Sequence, residues 1–140
     1  MIDSSAPAKV IETHHVNSES DVMSVVMAVY TIAQQLGYSA PIVSELATSV
    51  SELATNIVKY AGEGEVSIHH IETSLNIGLK VIASDSGEGI SDLTNALKDN
   101  YSTGQSLGLG LPGVVRMMDD FDIQSSPEQG TVVTITKWKS

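Results

Sequence analysis

Hydrophobic residues recur along this chain with two periods, and the changes of period mark its elements. "KVIETHHVN" (9–17) predicts a first strand at a sheet edge, after a loose polar arm over 1–8. Val22, Val25, Val26, Val29, Ile32, Ala33 and Leu36 then return at helical spacing. Ser18 is the N-cap of that helix and Gly37 its C′ residue. A second helix starts near Ser39 or Pro41 and runs to Gly62, with Ile42, Leu46, Ser49, Val50, Leu53, Ile57 and Tyr60 as its buried stripe. Two strands joined at Thr73–Asn76 follow. In the second, Leu75, Ile77, Leu79, Val81 and Ala83 alternate with Asn76, Gly78, Lys80, Ile82 and Ser84. Asp85 continues the apolar phase, so the alternation delivers a carboxylate to the core-facing side at the strand end. "SDLTNALKDN" predicts a short helix capped by Ser91, and "LGLPGVVRMMDDF" a third long helix starting near Leu109–Pro112. "FDIQSSP" and "TVVTITKWK" close the chain as strands around the turn "EQG". The order β-α-α-β-β-α-α-β-β predicts an α+β fold: a two-layer sandwich whose mixed, mostly antiparallel sheet is covered on one face by helices.

Composition narrows the choice of function. A length of 140 residues suits one domain, 1–140, and 41% apolar residues suffice for a packed interior. No repeat or linker is visible, and no apolar run reaches the roughly 20 residues that span a bilayer. The N-terminus lacks the basic-then-apolar pattern of a signal peptide, so a cytoplasmic location is expected. The absence of cysteine removes disulfides, thiolate metal sites and cysteine nucleophiles. A formal charge of −10 repels nucleic acid and anionic membrane alike. A phosphorylated ligand would have to be held by backbone N–H groups and a divalent cation. One Trp, one Phe and four Tyr offer no stacking platform for single strands. The histidine pairs at 14–15 and 69–70 fall in strands and read as surface residues.

Three stretches carry candidate chemistry. "STGQSLGLGLPGV" (102–114) contains G-x-G-x-x-G at Gly108, Gly110 and Gly113. No strand leads into it, which argues against a dinucleotide-binding turn. What remains is a glycine-rich helix entry or an anion cradle at a helix N-terminus. "DSGEGI" (85–90) is a glycine turn, yet a turn alone does not explain the in-phase Asp85, whose carboxylate needs a hydrogen-bonding partner such as an adenine amino group. In "SELATNIVKYAG", Glu52 and Asn56 stand at i, i+4 on one helix face. They are either a solvated face or oxygen donors for hydrated Mg²⁺.

Taken together, the stretches resemble the ATP site of the GHKL superfamily (the Bergerat fold), which includes histidine kinases, gyrase-type ATPases and one class of heat-shock chaperones. "ELATNIVKYA" resembles its N box, "DSGEGI" its adenine box, "STGQSLGLGLPGV" its lid and second glycine box, and "GTVVTI" (130–135) its last glycine-Thr box. The resemblance runs from about residue 10 to the end. It implies that Glu52 is the general base, that Asn56 holds Mg²⁺, and that Asp85 accepts the adenine amino hydrogen with Gly87 and Gly89 allowing close approach. Gly104, Ser106, Gly108 and Gly110 would wrap the β- and γ-phosphates, with Ser102 and Thr103 opening that lid. Thr131 would support Asp85, and Lys59 and Arg116 are candidate cations near the phosphates.

With no dimerisation helix carrying a phospho-accepting His and no transducer domain, the chain is most similar to the stand-alone serine/threonine kinases of bacterial partner-switching pathways, and among these to the RsbT-type switch kinases of stressosomes. The implied substrate is a STAS-domain antagonist or stressosome scaffold, and the implied downstream partner is an output protein such as a phosphatase. An anti-sigma factor with kinase activity and a non-catalytic ATP-binding module are the alternatives. Related anti-sigma kinases often carry an Arg just ahead of the glycine box, where this chain has Gln105, Ser106 and Leu107. The difference implies slow transfer, or a site that a partner completes.

Overall fold

The computed structural model describes residues 8–87 and 110–139. Strand β1 (Ala8–Val16) is followed by helices α1 (Glu19–Gln35) and α2 (Ala40–Tyr60), strands β2 (Gly64–Glu72) and β3 (Ile77–Asp85), helix α3 (Gly110–Met117), and strands β4 (Asp120–Ser126) and β5 (Gly130–Trp138). The five strands form one sheet in the order β1-β2-β3-β5-β4. Every pairing is antiparallel, so the described sheet has no mixed character.

The N-cap of α1 forms as the sequence predicts: Ser18 Oγ accepts from the Asp21 N–H at 3.2 Å, while Asp21 Oδ2 accepts from the Asn17 N–H at 2.9 Å. The predicted edge strand is an edge, but it starts at Ala8, within the expected arm. On α2 the stripe rotates slightly. Val43 is buried where Ile42 was expected, and Tyr60 is 51% exposed because the helix ends there, past the core. Leu75 is 93% exposed at the β2–β3 hairpin tip, where Thr73 Oγ1 gathers the N–H groups of Leu75 and Asn76. α3 is eight residues long, and the predicted long helix stops because the Asp119 N–H turns to the Thr136 carbonyl at 3.0 Å. The predicted short helix at 91–100 lies outside the described residues.

The core lies between the helices and one face of the sheet. Leu46, Val50, Leu53 and Ile57 of α2 meet Val66 and Ile68 of β2, Leu79 and Val81 of β3, and Val133 and Ile135 of β5. α1 adds Val25 and Val29. The histidine pairs lie on β1 and β2; His14 pairs with Glu12 and His69 with Ser67, each at 2.8 Å. Among the described residues no group of three His, Asp or Glu side chains could hold a metal, and no helix is long and apolar enough to cross a membrane.

Two features fix the ends of the sheet. At one end Gly130 has φ +81°, and a Cβ there would collide with the Asp85 carbonyl. Gly130→Ala is therefore expected to lower stability by about 2–3 kcal/mol, from left-handed strain plus displacement of the β3 end, measurable by urea unfolding. At the other end Lys137, whose side chain is only 14% exposed, donates from Nζ to the Met117 carbonyl of α3 at 2.8 Å. It also lies 3.5 Å from Asp119 Oδ1 and 3.8 Å from Glu45 Oε1 of α2.

Candidate active site

α2 turns Leu53 and Ile57 into the core, and this leaves Glu52, Asn56 and Lys59 along one flank at i, i+4 and i+7. Glu52 and Asn56 are half-buried and Lys59 is exposed. Burial pushes the Glu52 carboxyl above the ordinary carboxylate range, and the Lys59 ammonium partly offsets that rise. The Lys59 ammonium also lies 5.2 Å from the centre of the Tyr60 ring.

Asp85 ends β3 on the side taken by Leu79, Val81 and Ala83, as the alternation predicts. Its backbone neighbours are Gly64 on β2 and Thr131 on β5. A Cβ at Gly64 would touch both Ile57 Cγ2, at 2.8 Å, and Asp85 Cβ, at 3.1 Å. The bare Gly64 backbone thus lets the Asp85 strand end lie against α2, next in sequence to Asn56. Beyond it Asp85 Oδ1 accepts from the Gly87 N–H at 2.9 Å. A Cβ at Gly87 would come within 2.7 Å of Ala61 Cβ, so the turn is seated on the residue that caps the C-terminal end of α2.

Thr131 is 9% exposed, and its hydroxyl pairs with Ser125 Oγ at 2.7 Å. Phe121 and Ile123 pack against the core, and Ser125 continues their phase on β4 just as Thr131 continues that of Val133 and Ile135 on β5. Asp85, Thr131 and Ser125 therefore form a polar row across three adjacent strands at one end of the apolar face. Sequence reasoning missed Ser125 and Gly64. For Ser125 the signal was available: a polar residue in an apolar phase.

Gly110 is the first residue of α3, with φ +68°, and α3 packs on α2. Arg116 is in the last turn of α3, at the end away from Gly110. Gly89, Ser102, Thr103, Gly104, Ser106 and Gly108 lie outside the described residues. The structure thus pairs Asp85 with Thr131 and ties it to Gly87, and it sets Glu52, Asn56 and Lys59 along one flank of α2, the helix whose Ile57 approaches the Asp85 strand end. A separate open groove, lined by Gly37, Thr73, Asn76 and Lys139, lies at the opposite end of β3 and shares none of them. A half-buried carboxyl with a raised pKa, an amide oxygen one turn on, and a second carboxylate at a strand end can together accept a proton, donate oxygen ligands to a hard cation, and bind an amino group.

Residues 16–137 match the family described as "Histidine kinase-like ATPase domain". The chain is 38% identical over 121 residues to the serine/threonine-protein kinase RsbT of Bacillus subtilis (strain 168), covering 86% of this chain and 91% of that protein. It is 31% identical over 127 residues to the anti-sigma F factor of Caldanaerobacter subterraneus subsp. tengcongensis, covering 86% and 85%. The solved mycobacterial sensor histidine kinase MprB superposes with a TM-score of 0.53 at 13% identity, covering 95% of this chain and 97% of that one, a likeness of fold. With a five-stranded antiparallel sheet under its helices and a family match that spans nearly all of its length, the chain belongs to the histidine kinase-like ATPase domains of the GHKL superfamily.

Proposed function

We propose that this chain is an ATP-dependent serine/threonine-protein kinase acting as a single cytoplasmic domain. It phosphorylates a STAS-domain antagonist or scaffold of a partner-switching stress pathway and, once released, activates an output protein. The observation that carries the reading is Glu52, a half-buried carboxyl whose affinity for protons is raised, on α2, the helix whose Ile57 approaches the Asp85 strand end. Asp85 accepts the adenine amino hydrogen, and its tie to the Gly87 N–H fixes the turn that follows it. Thr131 and Ser125 buttress that end of the sheet. The glycine stretch, from Ser102 through Gly104, Ser106 and Gly108 to Gly110, and Gly89 in "DSGEGI" are residue types that suit backbone contact with the nucleotide. Asn56 offers one neutral oxygen, which suits Mg²⁺ that keeps waters and phosphate oxygens as its other ligands.

In the transfer step the substrate hydroxyl oxygen bonds to the γ-phosphorus, the bond to the β–γ bridging oxygen breaks, and ADP leaves with that electron pair. Glu52 takes the hydroxyl proton. Most of the rate comes from positioning and charge stabilisation.

Labelled ATP incubated with the protein and a panel of STAS-domain proteins tests the reading: transfer to a Ser or Thr supports it, and no transfer to any of them argues against it. Mg-ATP at about 100 times Kd is expected to stabilise the fold by about 2.7 kcal/mol. The likeness to the anti-sigma F factor supports a second reading, an anti-sigma factor with kinase activity. A pull-down offering both a sigma factor and an output phosphatase separates the two.

The raised pKa of Glu52 gives a signed pH prediction. The base must be ionised, so transfer should fall on acidification at a pH above the ordinary carboxylate range. For stability, a folded pKa above the unfolded one favours the protonated form. The contribution is full below the unfolded pKa and is lost as pH rises through the folded pKa. Glu52→Gln is accordingly expected to melt higher than wild type at neutral pH, with the gap closing toward pH about 4.

A further inference from the structure

Asp85, Thr131 and Ser125 stand directly opposite one another on β3, β5 and β4. One step inward on the same face, these strands carry Ala83, Val133 and Ile123, which belong to or pack against the core. Apolar side chains at 125 and 131 would extend that layer without the cost of covering two hydroxyls. The hydroxyls are instead paired: Thr131 is buried, and its Oγ1 lies 2.7 Å from Ser125 Oγ, an ordinary O–H···O separation. One of the two therefore donates to the other. Each has a single proton, so the direction of this bond decides what Thr131 offers on its other side. On that side, across the β3–β5 pair, is Asp85, a carboxylate that only accepts. If Thr131 donated to Ser125, its lone pairs would face the carboxylate, two acceptors side by side. If Ser125 donates, the Thr131 proton is turned toward Asp85, and a donor stands next to an acceptor.

We propose that Ser125 is a positioning residue for base recognition: by donating to Thr131 it holds the Thr131 hydroxyl as a hydrogen-bond donor beside the Asp85 acceptor. The inference rests on the ATP-binding reading and adds a second half to its base contact. An acceptor with a donor at its side matches one edge of adenine, whose amino group donates and whose adjacent ring nitrogen accepts. Guanine presents the reverse order, a carbonyl acceptor beside a ring N–H donor, and would set like against like at both positions. Asp85 reads the amino group, and the Thr131 hydroxyl reads the ring nitrogen, directly or through one water. Neighbouring strands are about 4.8 Å apart, a spacing at which one ring edge can meet both side chains. Ser125 acts through Thr131, by fixing the direction of one proton.

The test compares wild type with Ser125→Ala, Ser125→Thr and Thr131→Val by calorimetric titration of Mg-ATP and of Mg-1-deaza-ATP, well below each melting temperature. 1-Deaza-ATP keeps the amino group and carries C–H in place of the adjacent ring nitrogen. Wild type is expected to prefer ATP by about fivefold or more, the range for leaving one donor without its acceptor. S125A should bind ATP about three- to tenfold more weakly while its affinity for 1-deaza-ATP changes less than about twofold, so the preference shrinks toward one. T131V, which lacks the donor, should show no preference, and S125T, which keeps a hydroxyl at 125, should recover most of it. An S125A protein that keeps the wild-type ratio overturns the proposal, as does an equal loss for both nucleotides, the mark of a merely structural role. Should S125A not fold, Ser125→Cys, which keeps the size and weakens the donor, takes its place with the same outcomes. A wild-type chain that binds ATP and 1-deaza-ATP equally overturns this inference and leaves the ATP-binding reading standing. One that binds neither removes that reading, and this inference with it.

Discussion

Glu52→Ala is expected to reduce phosphoryl transfer to a STAS-domain substrate by roughly 10²–10⁴-fold, the usual share of a positioned general base. Mg-ATP affinity should stay close to wild type, because the proposed base would contact the attacking hydroxyl and not the nucleotide. Glu52 is one turn from Asn56 on α2, while Asp85, the proposed adenine partner, comes from β3, so the two proposed functions fall on different elements. Single-turnover rates with labelled ATP, set beside a titration of Mg-ATP, check both halves. Glu52→Gln refines the result, since it keeps the shape of the side chain and removes only its basicity. A Gln variant that still transfers at the wild-type rate would remove Glu52 from the mechanism.

Asp85→Ala is expected to cost about 10- to 100-fold in Mg-ATP affinity, the range for losing a hydrogen bond to a charged acceptor at about 1.5–3 kcal/mol. The loss has two sources that a second variant separates. Asp85 Oδ1 also holds the Gly87 N–H, so Ala loosens the turn on Ala61 as well as removing the proposed adenine partner. Asp85→Asn keeps an oxygen for that N–H and gives up the negative charge offered to the adenine amino group. An Asn variant that retains its melting temperature but loses affinity and preference for adenine over guanine nucleotides places the effect at base recognition. If Asp85→Ala binds Mg-ATP like wild type, Asp85 is a turn residue only.

Much of this arrangement is legible in strand alternation. Asp85 was found because it stands where β3 calls for an apolar residue, and the structure puts it on the core-facing side at the strand end. The same test applied to "FDIQSS" and "TVVTITKW" picks out Ser125, Thr131 and Lys137, each polar and each in phase with buried neighbours. Thr131 entered instead through its motif, and Ser125 and Lys137 were passed over. A Lys near the end of an amphipathic strand reads as solvated until the Met117 carbonyl, distant in sequence, is seen to receive it. The length of α3 was illegible for a related reason. "RMMDD" continues a helical pattern locally, and only the Asp119–Thr136 bond, a tertiary contact, ends it. On α2 the period was right and the phase slightly off, as expected when a stripe borders two neighbours, α1 and the sheet.

The placement of β5 between β3 and β4 has a consequence for how such a chain can change over evolutionary time. The backbone leaves β3 at Asp85 and, after α3 and β4, comes back beside it at Thr131, with Gly130 against the Asp85 carbonyl. A doubling in length of a connection whose ends are already pinned costs only about 0.6 kcal/mol of closure entropy. Length changes in the connection between β3 and α3 are therefore expected to cost little beyond that closure entropy. Descendants of this scaffold can vary the length of that connection at a small entropic cost.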